Sequence, residues 1–251
     1  MKSKVLALVM AAGAIATGAN AQKHKADSMF HPKLEPTPVH KFYFSNGLDA
    51  AIFSTSNMQL LGESSKLTTL RFSYVINIGF NANYDFTDHF GVMAGLSMKN
   101  IGFIEKVSDS TVKRRAYTIG IPVAIKFGNI PRRNFGFIGG GFDIPFEYKE
   151  KGFTSRGSKT KLNSWFSGRT ENFMGYVFAG ASIRPGITFK FQYYPGNFLN
   201  RDYVDGSGAK PYYRYEKTNL MLLSIGMDIH YKSPMHHSSK ATDDDENVTM
   251  R

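Results

Sequence analysis

From Leu70 to Phe86 the chain reads LRFSYVINIGFNANYDF, and it alternates almost without a break. Leu70, Phe72, Tyr74, Ile76, Ile78, Phe80, Ala82, Tyr84 and Phe86 are apolar or aromatic. Arg71, Ser73, Asn77, Gly79, Asn81, Asn83 and Asp85, between them, are small or polar. Successive side chains of a strand point to opposite faces, so this is a strand with one apolar and one polar face. It is longer than the usual strand of about 5–6 residues. It fits a tilted membrane strand, which needs about 9–11 residues plus its ends. In a soluble sheet the apolar face would lie on a core. In a membrane barrel it faces lipid, and the small and polar residues face the lumen.

The pattern recurs. Strands are expected at 46–54, 70–86, 89–103, 117–128, 136–148, 172–184, 186–195 and 218–232. The links at 86–90, 128–135 and 184–186 are short, whereas those at 55–69, 104–116, 149–171 and 196–217 are long and polar. An even strand count with short links alternating with long ones predicts an all-β fold. It is an eight-stranded antiparallel transmembrane up-and-down barrel with short periplasmic turns, long extracellular loops and both termini in the periplasm. A soluble barrel or sandwich is the alternative, but the large apolar side chains of 70–86 would overfill a small interior. Pro122, inside the strand Tyr117–Gly128 (YTIGIPVAIKFG), has no N–H to give the ladder and is expected at a bulge or an irregular register.

The polar faces carry Arg71, Lys99, Lys126, Asp143, Glu147, Arg184, Lys190 and Asp228. An eight-stranded barrel is just wide enough to be filled by side chains. Buried charges must be paired. These eight residues are therefore expected to form a structural charge network that plugs the lumen.

The chain opens MKSKVLALVMAAGAIATGANA: two lysines, an apolar run too short to span, and an A-x-A site. Residues 1–21 are expected to be a cleavable signal peptide for export to the outer membrane. A flexible periplasmic lead at 22–41 should follow, then the barrel at 42–232 and a disordered periplasmic tail at 233–251. There is no cysteine, which excludes disulfides, thiolate metal sites and a thiol nucleophile. The formal net charge of +11 suits polyanionic surface sugars or lipid phosphates better than nucleic acid, which an exported protein seldom meets.

Catalytic chemistry is thinly represented. His230 shares a face with Asp228 and lies near Ser224, an arrangement that fits a structural hydrogen bond. A lipid A-modifying barrel enzyme is the corresponding alternative. His89 sits in a turn. His236, His237 and the acidic run Asp243 to Glu246 lack the spacing of a calcium loop, so neither metal nor cofactor is expected. The loops are richer. Loop 149–171 offers Lys159, Lys161, Trp165 and Arg169, and loop 196–217 offers Arg201, Tyr203, Tyr212, Tyr213, Arg214 and Tyr215. Cations mixed with aromatics suit contact with sugar, phosphate or a protein.

The stretch YTIGIPVAIKFGN and the glycine-rich GFIGGGFDIPFEY resemble strands of small outer-membrane barrels of the PorT-like type, with an OmpA-like architecture. The resemblance covers most of 42–232 and implies fold and location, with no catalytic residue. It also implies a second role, as a component of a protein secretion or transport machine. The expected role is non-enzymatic: an outer-membrane protein that contacts lipid, lipopolysaccharide or envelope partners through its basic, aromatic loops.

Overall fold

The computed structural model describes residues 42–73, 77–107, 110–154 and 159–230. The expected leader, lead and tail, with His236, His237 and the acidic run, lie outside the described residues. Among the described residues eleven strands follow one another. They are β1 (Phe42–Leu60), β2 (Lys66–Leu67), β3 (Arg71–Ser73), β4 (Asn77–Asp85), β5 (Phe90–Val107), β6 (Ser110–Asn129), β7 (Asn134–Thr154), β8 (Lys159–Trp165), β9 (Met174–Ile183), β10 (Ile187–Tyr193) and β11 (Tyr215–His230). Eight of them form an antiparallel ring in the order β1-β4-β5-β6-β7-β9-β10-β11. β11 closes on β1 from Ser45↔His230 to Leu60↔Tyr215. β2 and β3 pair with β1, and β8 pairs with β7, outside the ring order.

Several strands outrun the sequence expectation. β1 starts at Phe42 and ends at Leu60, beyond 46–54 at both ends. The segments expected as loops 104–116 and 149–171 are largely strand. β5 and β6 stay in register to Val107↔Ser110, and β7 continues to Thr154 before turning back as β8. The cause is the inner face, where Ile101, Phe103, Ala116 and Tyr148 are all buried. Beside Ala116 and Tyr148 the outward positions carry Arg115, Glu147 and Lys149, and beside Ile101 they carry Asn100 and Gly102, so the apolar alternation that marks a lipid-facing strand stops while the strand itself continues.

Pro122 sits opposite Gly141 with no bulge there. The ladder between β5 and β6 lapses between the pairs Ala94↔Val123 and Ser97↔Gly120, yet the register is the same on both sides. The missing N–H opens a gap without shifting the strands. The bulge lies elsewhere, where Tyr117↔Glu147 and Thr118↔Pro145 leave Phe146 as the extra residue in β7.

A belt of exposed apolar side chains circles the ring, including Ile78, Leu96, Ile121, Val123, Ile138, Val177, Phe189 and Leu223. Aromatic rings bound it. At the short-turn end, Phe42–Phe44, Tyr84–Phe86 and Phe86–Phe90 pack with centroids 5.0–5.5 Å apart. At the other end Phe146 contacts Tyr117 and Trp165. From Phe127 to Tyr117, at about 3.3 Å per residue on a strand tilted about 40°, the belt is about 25 Å tall, the height of a barrel's lipid band.

Close approach inside the ring requires glycine. A Cβ on Gly120 would overlap the Asp143 carboxylate and come within 3.0 Å of the Phe142 carbonyl oxygen. Gly120→Ala is expected to cost about 1–3 kcal/mol by overpacking. Urea titration of the detergent-folded protein reads this, and an unchanged midpoint would count against close packing of Gly120 on Asp143.

Candidate functional site

The lumen is filled in layers. Nearest the short turns, Lys126 Nζ lies 2.6 Å from Asp85 and donates to Tyr43 Oη at 2.9 Å and Asn83 Oδ1 at 3.0 Å. Both partners of the ion pair are 1% exposed. Above it is a cavity of about 90 Å³, walled by Asp49, Asn81, Lys99, Lys190, Gln192 and Asp228 among others. Lys190 pairs with Asp49 at 2.9 Å, and Lys99 with Asp143 at 2.9 Å. Tyr194 donates to the second Asp143 oxygen at 2.6 Å, and Lys99 lies 3.9 Å over the Tyr176 ring. Then comes an apolar layer of Ile52, Ile101, Phe103, Phe198, Leu199, Leu220 and Leu222. Phe198 and Leu199 belong to the segment expected as the start of the loop 196–217. That segment dips into the ring instead, and Leu199 bridges to Thr170.

The expected network therefore resolves residue by residue. Lys99, Lys126, Asp143 and Lys190 meet partners inside the ring, and Asp228 lines the cavity half-buried. Glu147 does not face the lumen. The extra residue Phe146 inverts the phase of β7, placing Glu147 beside Tyr117 on the outer face, where it pairs with Lys149 at 2.8 Å. Arg184 is exposed in the turn before Pro185, beyond the end of β9. Arg71 is buried, but its partner is Asn100 rather than an acid. Asp49, Asp85, Glu105 and Arg114 were not among the expected network residues, yet each is buried and ion-paired.

A polar cluster caps the long-loop end. Arg114 bonds to Glu105, to Glu150 at 3.2 Å and to Tyr215 Oη at 3.0 Å. Tyr215 donates to Glu105 at 2.8 Å, and Tyr148 donates to Glu150 at 2.7 Å. Arg169 donates to Tyr212 Oη at 3.3 Å and lies 4.6 Å over the Tyr203 ring. These groups lie above the aromatic ring of Tyr117, Phe146 and Trp165. Burial pushes the Tyr148, Tyr212 and Tyr215 hydroxyls up, so they stay protonated and can donate. Burial alone would disfavour the Arg114 charge, but the Glu105 and Glu150 carboxylates hold it above its ordinary value.

Four of the expected loop-surface residues thus face inward: Arg169, Tyr203, Tyr212 and Tyr215 close the mouth. Lys159, Lys161, Trp165, Tyr213 and Arg214 are exposed, and Arg201 is half-exposed. The larger outward feature is on the strand extensions. Lys113, Lys151 and Lys161 stand side by side across β6, β7 and β8, and Arg115 stands opposite Lys149 one step below. Because Arg114 points inward, Lys113 and Arg115 point outward. The ion pairs among the described residues leave Lys113, Lys151 and Lys161 out. Like charges directly opposite one another repel. No group of three or more metal-ligating side chains occurs among the described residues.

The sequence matches the family model of the outer membrane protein beta-barrel domain over residues 39–198. The chain belongs to this outer-membrane barrel family. The short-turn end is then periplasmic and the strand extensions are extracellular. The ring closes through β11, beyond the matched residues. Among solved structures, Neisserial surface protein A is similar at 13% identity, covering 76% of this chain and 98% of that one, with a TM-score of 0.39. Ail, the attachment invasion locus protein of Yersinia pestis, is similar at 12% identity, covering 76% and 97%, with a TM-score of 0.35. No curated protein matches the sequence.

Proposed function

We propose that this protein is a non-enzymatic, plugged outer-membrane barrel that holds anionic partners at the cell surface through the outer face of its strand extensions. The observation that carries this is the in-register row Lys113, Lys151 and Lys161, three mutually repelling cations that enter no ion pair among the described residues. A partner's negative charge relieves that repulsion. Export by the N-terminal leader and a structural role for the lumen ion pairs complete the reading.

The test is a triple charge reversal, Lys113→Glu with Lys151→Glu and Lys161→Glu, displayed on intact cells. Binding of a sulfated polysaccharide is expected to fall about tenfold or more, and wild-type binding to weaken as salt shortens the screening length below about 8 Å. Equal binding by the reversed protein would remove the interaction role. It would leave the PorT-like secretion role to be sought by assaying secreted proteins after deletion.

A further inference from the structure

β7 changes neighbours at its bulge. Its periplasmic half pairs with β9 up to Asp143↔Met174, and its extracellular half pairs with β8 from Glu147↔Trp165. Ile144 and Pro145 have no register partner on that side, and residues 166–172 cross from β8 to β9 over the gap. A cleft of about 220 Å³ remains there. Its lining joins two kinds of group, the rings of Pro145, Phe146 and Phe166 and the polar side chains of Ser167, Thr170 and Asn172. It opens outward, since Phe166 is 79% exposed and Ile144 and Asn172 are exposed as well.

The backbone of Phe166 is held at φ 47°, and its N–H donates to the Phe146 carbonyl at 2.9 Å. The left-handed region strains a bulky side chain, and such strain collects at binding sites. Here it keeps an aromatic ring in the open, where burial gains nothing. Among the described residues, the Ser167, Thr170 and Asn172 side chains enter no hydrogen bond, although Thr170 is buried. Glu147 alone is charged among the described lining residues, and it is already bonded to Lys149 at 2.8 Å. An occupant that fits must therefore offer C–H surface to the rings, offer hydroxyls to the polar side chains, and carry no charge. An acyl chain meets only the first and last demands, and a phosphate fails the last. Apolar and aromatic walls with a few polar groups to fix orientation are the usual make-up of a small-molecule site.

We infer that this cleft binds the ring of an uncharged pyranose from a surface saccharide. The ring's C–H face lies on Phe146 and Phe166, and its hydroxyls meet Ser167, Thr170 and Asn172. The site is distinct from the lysine row, which attracts charge, and does not depend on it.

The test uses the full chain folded in a detergent without a sugar headgroup. Trp165 is the chain's single tryptophan, and its ring lies 5.9 Å from that of Phe146, so its emission reports on the cleft. Titration with the methyl glycosides of glucose, galactose, mannose and N-acetylglucosamine is expected to give a saturable change with at least one of them. Phe166→Gly and Asn172→Ala are each expected to weaken that binding about tenfold. Glycine takes left-handed backbone without strain, so Phe166→Gly should fold as well as wild type and keep its unboiled gel band to at least the same temperature. The Lys113→Glu, Lys151→Glu, Lys161→Glu protein should bind the glycoside unchanged, which separates this site from the row above. Tighter binding of the same sugar carried on a lipid in mixed micelles would assign the cleft to a glycolipid, and equal binding would assign it to a free saccharide. No saturable change with any of the glycosides, or unchanged affinity in the folded variants, would overturn the site.

Discussion

Lys126→Met is expected to destabilise the barrel by about 3–5 kcal/mol, because removing one partner leaves Asp85 buried and unpaired. The reasoning starts from exposure. Lys126 and Asp85 are each 1% exposed, so water compensates neither charge. Tyr43 and Asn83 complete the ammonium's hydrogen bonds, which lets the fold tolerate a buried cation at all. The pair also ties β4 to β6 across β5 near the periplasmic end. Urea unfolding in detergent measures the loss, and the unboiled gel band should shift toward the boiled position at lower temperature. Adding Asp85→Leu to Lys126→Met should recover much of it, since a buried pair replaced by apolar groups is often close to neutral. A single variant as stable as wild type would mean that water reaches this end of the lumen.

Arg114→Met should be comparably severe, at about 3–5 kcal/mol, and it should also loosen the extracellular mouth. Arg114 is the shared donor for Glu105 and Glu150, and it anchors Tyr215. Without it two carboxylates face each other among three tyrosines, and like charges in a low-dielectric site repel. Tyr148 and Tyr215 can still donate to the carboxylates, so the ring persists while its cap loosens. Planar-bilayer recordings are expected to stay silent for the wild type and for Arg114→Met, because the apolar layer and the Lys126–Asp85 pair still fill the lumen below, while amide exchange around Tyr148 and Tyr215 should quicken in Arg114→Met and slow again when Glu105→Gln is added. Steady wild-type conductance would contradict a filled lumen.

The barrel was legible because lipid imposes a strict period of two on every strand it touches. Ile78, Phe80 and Tyr84 show this, all exposed on one face of the strand Asn77–Asp85, and Lys99, Lys126, Asp143 and Lys190 follow from it by parity. The same rule fails where lipid ends. Glu105 and Arg114 lie on strands whose outer faces meet water, so their segment reads as a loop. A single inserted residue, Phe146, moved Glu147 to the other face; the strand proline that marks the bulge is the adjacent Pro145 rather than Pro122. Asp49 was missed for a related reason, because the register shifts between Asp49 and Ala51. The mouth cluster joins residues far apart in the chain, such as Arg114 and Tyr215. Its aromatics and cations look like any sticky loop until the fold turns them inward.

The first strand of this protein is completed by its last. Until β11 has left the ribosome and crossed the inner membrane, β1 presents a long edge of unpaired backbone groups with no mate in the chain. Such an edge cannot rest in lipid, and in water it invites pairing with another chain. Time therefore enters the architecture. The polypeptide must be kept open and accompanied across the periplasm as a whole, and the membrane receives it only when Tyr215 to His230 arrive to seal the ring.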